Sequence, residues 1–211
     1  MRLGYRLAFA VLALTFIATL PWAPYGGSFV PKVAPILLLI WATLQAPRFA
    51  GRGLLVAAIF FSGAGDVILD LVFEGSFIAG LVSFLTAHVF YVVLFLKGAR
   101  FRRSLAFATL LALSFPVGMA LFLWPHLGPM QLPVALYISV IASMLVTSLH
   151  RSSLNLTVVA GAIAFVISDS ILALNKFYSP FVWARYAIMA TYYLAQYLIV
   201  TGVLKEQADL A

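Results

Sequence analysis

The 211-residue sequence has no cysteine, which excludes a disulfide framework and thiolate chemistry. Charge is nearly as scarce: 9% of residues are Asp, Glu, Lys or Arg, and only 6 are acidic. A soluble domain carries about 25% charged residues. With 64% hydrophobic residues and a mean hydropathy of +1.10, a polytopic membrane protein is the class that fits, with 1–211 as a single helical domain and no soluble module. The formal charge of +7 is read as topology signalling by cytoplasmic loops, so no nucleic-acid partner is inferred.

What the chain does have is long apolar runs. A hydrocarbon core of about 30 Å needs roughly 20 apolar residues per helix. Eight segments suit that length: 5–22, 32–46, 53–72, 76–96, 103–123, 131–149, 155–175 and 181–203. The first, behind Arg2 and Arg6, has the look of a signal peptide but is read as the first membrane helix. Pro21, Pro24, Pro47, Pro125 and Pro180 punctuate the joints, while Pro35 and Pro116 are expected in a first turn or at a kink.

The basic residues alternate with this count. Arg2, Arg6, Arg48, Arg52, Lys97, Arg100, Arg102, Arg103, Arg151 and Lys205 fall at one set of helix ends, and Lys32, Lys176 and Arg185 at the other. Ten against three predicts both termini in the cytoplasm. Short loops and small size suit a bacterial inner membrane. Asp66-Val-Ile-Leu in helix three and Asp169-Ser-Ile-Leu in helix seven form a weak internal repeat. Two parallel four-helix halves would account for it, and so would chance similarity between apolar sequences.

Two carboxylates, Asp66 and Asp169, lie inside stretches that should be buried in lipid. Such groups are costly at the bilayer centre and usually face a cavity. In helix three, Ser62, Asp66, Asp70 and Glu74 recur every four residues, which puts them on one face. Glu74 suits an interfacial charge. Helix seven adds Ser168, Ser170, Asn175 and Lys176; helix eight adds Arg185, Tyr192, Tyr193 and Gln196; helix four carries His88 and Tyr91. With its expected end near Val72, helix three holds Asp66 about 9 Å below the outer surface. Lys32, Lys176 and Arg185 near that surface suit either a phosphate-binding rim or snorkelling anchors.

Several chemistries drop out. His126 belongs to an outer loop and His150 to the inner face, so the three histidines do not converge as a zinc hydrolase requires. No His-Glu-x-x-His, Gly-x-Ser-x-Gly or phosphate-cradling loop occurs. What remains is carboxylate acid–base chemistry, in which two differently placed carboxyls divide the acid and base roles. A proton-coupled transporter or flippase would use intramembrane acids too. A lipid sensor would keep the cations and tolerate Asp66→Asn, and an esterase would pair Ser170 or Ser62 with His88.

At these residues the chain resembles the YhhN-type lysoplasmalogenase family of multi-pass membrane proteins. The matching pieces are Lys32 with Pro35, Gly65-Asp66, Phe84 to Tyr91 around His88, Phe165 to Ser170 around Asp169, and Tyr193 to Gln196, in order along nearly the whole chain. One departure is the spacing of Pro35 from Lys32, where the proline is expected directly after the lysine. The resemblance implies an eight-helix, all-α membrane enzyme that hydrolyses the vinyl ether bond of lysoplasmalogens, with no metal or organic cofactor. Its products would be a fatty aldehyde and glycerophosphocholine or glycerophosphoethanolamine. The partners implied are a lysophospholipid substrate and the surrounding membrane lipids. On this reading Asp66, Asp169 and His88 are the catalytic candidates. Lys32, Asp70, Ser170, Asn175, Lys176, Arg185, Tyr193 and Gln196 are the substrate-binding candidates.

Overall fold

The computed structural model describes residues 3–71 and 73–209. Arg2, counted among the inner-end cations, and Val72, the expected end of helix three, lie outside the described residues. The described residues form eight α-helices: α1 (Leu3–Thr19), α2 (Phe29–Gln45), α3 (Arg52–Asp70), α4 (Ser76–Leu96), α5 (Ala106–Leu123), α6 (Gln131–Leu149), α7 (Leu156–Ala173) and α8 (Ala184–Asp209). No strand occurs among the described residues. The six segments from α3 to α8 are long and apolar enough to cross a membrane; α1 and α2, at 17 residues each, are shorter. Consecutive helices reverse direction through short connections, so the protein is a multi-pass helical bundle.

The boundaries shift from the sequence expectation in ways that matter for the site. Helix α2 begins at Phe29, three residues early, so Lys32 and Pro35 sit within it rather than at its start. Helix α3 stops at Asp70, so Asp66 is four residues, about 6 Å, from its end. Helix α7 gives way at Ala173 to a single π-type turn, Leu174–Tyr178. That wider turn changes the register between Asp169 and Lys176, and Lys176 is exposed. Helix α8 begins at Ala184 and runs on to Asp209.

Two helical hairpins form the centre of the bundle, α3 with α4 and α7 with α8. Small residues allow the close approach, as they do where there is no water to drive apolar surfaces together. A Cβ on Gly161 of α7 would lie 2.8 Å from the backbone N of Ile199 and 3.0 Å from the carbonyl O of Ala195. One on Gly65 of α3 would lie 2.6 Å from the Phe84 ring of α4. The hairpins join crosswise, α4 against α6 and α8 against α2, so the second half of the chain repeats the packing pattern of the first. Helix α5 is peripheral: only Pro116 and Leu123 of its 18 residues are buried.

A second polar cluster closes the opposite end of the bundle. Buried Arg151 is 2.7 Å from Glu206, which also accepts from Ser153 at 2.6 Å. Asn155 caps α7 through its Oδ1, which accepts from Thr157 N and Val158 N, and its Nδ2 donates to Gly202 O.

Candidate functional site

Helices α2 to α8 enclose a cavity of about 1040 Å³, including its mouth, near the end where α3 and α7 stop and α4 and α8 begin. Its walls are mostly apolar, among them Leu69, Leu81, Phe84, Met119, Ile138, Ile141 and Met189. The polar groups reaching it are few: Lys32, Asp66, Tyr137, Ser168, Asp169, Ser170 and Tyr192. An apolar pocket with a few converging polar groups is the usual form of a small-molecule site. Asp66 and Asp169, on separate hairpins, both line it.

The Asp66 wall is built from α2, α3 and α8. Lys32 donates through Nζ to the Asp66 carbonyl at 3.0 Å; its ammonium lies 4.0 Å from Asp66 Oδ1 and 3.7 Å from Asp70 Oδ1. Starting α2 at Phe29 is what brings Lys32 in to this depth. Asp70 also accepts a hydrogen bond from Ser28, the residue just before α2. Tyr193 donates to the Lys32 carbonyl at 2.7 Å and so ties α8 to α2. Asp66 Oδ2 and the Tyr192 hydroxyl face each other, buried, and neither has a partner beyond the other.

The Asp169 wall is built from α4, α6 and α7. Tyr137 donates to Asp169 Oδ2 at 2.5 Å, and His88 Nε2 lies 3.8 Å from the same oxygen. The His88 ring is fully buried between Phe165, at 4.5 Å between ring centroids, and Tyr137, at 5.4 Å. Neither of its nitrogens is hydrogen-bonded. Behind it Tyr91 donates to Gln196 Oε1 at 2.6 Å, while Gln196 Nε2 stays unpartnered. Unpaired buried polar atoms cost roughly 1–3 kcal/mol each, and native folds keep them rare. Among the described residues they gather here, with Arg151 Nε the one elsewhere.

The fold therefore joins Lys32, Asp66, Asp70, His88 and Asp169 into one polar constellation and leaves other candidates apart. Ser170 lines the cavity, but its hydroxyl donates to Val166 O of its own helix. Asn175 Oδ1 accepts from Phe181 N and so holds the loop before α8. Lys176 is exposed, its ammonium 4.9 Å above the ring of Phe77 at the rim. Arg185 is exposed and donates to the Ala23 carbonyl at 2.7 Å, outside the cavity lining. Tyr193 and Gln196 stand behind the wall as braces. Tyr137 and Ser28 escaped the sequence reading. A lone tyrosine in apolar α6 carries no motif, and only the packing of α6 on α4 and α7 gives it a partner. Among the described residues no group of three or more His, Cys, Asp or Glu side chains is placed to hold a metal ion.

The human lysoplasmalogenase TMEM86A is 31% identical to the chain over 94% of its length and 88% of the relative's. Human lysoplasmalogenase TMEM86B is 33% identical, over 83% of the chain and 74% of that protein. A lysoplasmalogenase of Mycobacterium tuberculosis is 29% identical over 81% and 68%. No solved structure matches. The YhhN family matches residues 27–203, which take in α2 to α7 and most of α8 with every side chain of the constellation, and the chain belongs to that family.

Proposed function

We propose that this protein is an integral-membrane lysoplasmalogenase: it hydrolyses the vinyl ether bond of alkenyl-glycerophosphocholine or alkenyl-glycerophosphoethanolamine. The observation that carries the reading is the pair of carboxylates, Asp66 and Asp169, lining one apolar cavity from two hairpins, in a chain whose relatives are named lysoplasmalogenases.

The reaction runs in three steps. One carboxyl of the pair delivers a proton to the β-carbon of the vinyl ether, leaving an oxocarbenium ion. The other carboxylate faces that cation and holds the water that adds to it, as in glycoside hydrolysis. As water adds, its proton passes to that second carboxylate. The hemiacetal hydroxyl then gives up its proton as the C–O bond to glycerol breaks; the water oxygen stays in the aldehyde and the glyceryl oxygen takes up a proton. The pair again holds one proton between them. One water is consumed, and a fatty aldehyde and a glycerophosphodiester leave. His88 and Tyr137 position Asp169. Lys32, held between Asp66 and Asp70, positions the other carboxylate. Exposed Lys176 at the rim offers the cation for the substrate phosphate. Both termini then face the cytoplasm, with the cavity near the opposite surface.

The test is aldehyde release from alkenyl-lysophospholipid by purified protein with chelator present. Asp66→Asn and Asp169→Asn should each lose about 100-fold or more. Retention of activity in both would reject the carboxylate mechanism. No release by folded wild type with either headgroup would reject the enzyme reading and favour a proton-coupled lipid transporter.

A further inference from the structure

A vinyl ether lies at the very start of its alkenyl chain. A substrate placed between Asp66 and Asp169 must therefore send the entire chain onward from that point. Helices α5 and α6 form one wall of the cavity, and a second, open surface hollow of about 1140 Å³, the space at its mouth included, lies along the outer seam of the same two helices. Pro116 and Ile138 line both spaces, so the groove and the cavity share a wall.

The groove follows α6 from Ala135 to Thr147, a rise of about 18 Å. One leaflet of hydrocarbon is about 15 Å deep. Its walls include Val117, Ala120, Ala135, Ser139 and Ser143. The two serine hydroxyls are turned back onto their own helix, Ser139 to Ala135 O at 2.8 Å and Ser143 to Ser139 O at 2.7 Å. The surface presented to the bilayer is thus apolar. Pro116 has no N–H to donate, which frees a carbonyl one turn back and loosens α5 at the crossing point.

We propose that the α5–α6 groove seats the hydrocarbon chain of the single-chain lipid whose head end occupies the Asp66–Asp169 cavity. The chain passes between Pro116 and Ile138, and the long aldehyde product leaves by the same seam into the bilayer. The inference rests on the lysoplasmalogenase reading above. Lipid tails are as apolar as these walls, so the groove selects by shape and length rather than by added affinity.

The experiment compares aldehyde release from two alkenyl-lysophospholipids in nanodiscs, one with a short chain and one with a chain of membrane length. Ser139→Trp and Val117→Trp fill the groove from exposed positions. Each should lower the long-to-short efficiency ratio about tenfold or more. Leu110→Trp, on α5 at an exposed position outside the groove, should leave the ratio as in wild type. An unchanged ratio in both groove variants, or an equal fall in Leu110→Trp, overturns the proposal. A lysophospholipid carrying a photoreactive diazirine at its chain end gives an independent reading, and it should label α5 and α6 peptides. Equal labelling by a two-chain phospholipid carrying the same group would make the groove a seat for bulk bilayer lipid and overturn the proposal. Wild type that releases no aldehyde from either chain rejects the lysoplasmalogenase reading, and the labelling then decides the groove separately.

Discussion

Tyr137→Phe isolates one contact. It removes a single oxygen and keeps the ring that packs 5.4 Å from His88. What is lost is the 2.5 Å hydrogen bond from the Tyr137 hydroxyl to Asp169 Oδ2. Asp169 then keeps only His88, whose Nε2 is 3.8 Å away, beyond hydrogen-bond reach. A hydrogen bond of this kind contributes about 0.5–1.5 kcal/mol between neutral groups and about 1.5–3 kcal/mol to a charged one. If the bond serves to aim the carboxylate, a loss of about 1–3 kcal/mol becomes a fall in kcat of about 5- to 150-fold. KM should move less, because the lost hydroxyl faces Asp169. The assay is steady-state aldehyde release over the pH range in which the protein stays folded, beside its thermal unfolding. The pH profile should change along with kcat, since in the proposed mechanism Asp169 gives or takes a proton. A kcat within about twofold of wild type and a superimposable pH profile, in protein of unchanged thermal midpoint, would refute the positioning role. In a double-mutant cycle, Tyr137→Phe should add little to Asp169→Asn, because the two act through one contact.

Lys32→Met should lower kcat and stability together, because it leaves Asp66 and Asp70 without their cation; removing one partner of a buried pair costs about 3–5 kcal/mol, read by thermal unfolding. Lys176→Ala should raise KM with little change in kcat, whereas Arg185→Ala should leave KM unchanged, since Arg185 is spent on the Ala23 carbonyl; the reverse pattern in substrate titrations would move the phosphate site. Gly161→Ala should destabilise by about 1–3 kcal/mol, because its methyl meets the backbone of α8 rather than a movable side chain; an unchanged thermal midpoint would show that the hairpin opens freely. Glu206→Gln should lower the thermal midpoint through Arg151 at the far end of the bundle and leave KM of the folded protein unchanged.

Much of this molecule follows from one-dimensional pattern. Apolar runs of membrane length set the number of helices, because a bilayer forces each backbone segment to satisfy its own hydrogen bonds. The same solvent makes every intramembrane charge expensive, so Asp66 and Asp169 stood out before any fold was known. Spacing also placed Ser62, Asp66 and Asp70 on one face of α3. Periodicity within a helix gives no account of which faces meet across the bundle. The fold alone decided that Tyr137 reaches Asp169, that Ser28 and Lys32 reach Asp70, and that Tyr193 braces Lys32 from behind. It also left Lys176 and Arg185 exposed, one over the Phe77 ring and the other on the Ala23 carbonyl. A π-type turn of five residues changed the register of Lys176, and a later start left Arg185 exposed in the first turn of α8. Partners lying 32 to 161 residues apart are brought together by the crossing of helices at small residues such as Gly65 and Gly161, and that geometry exists only once the helices pack.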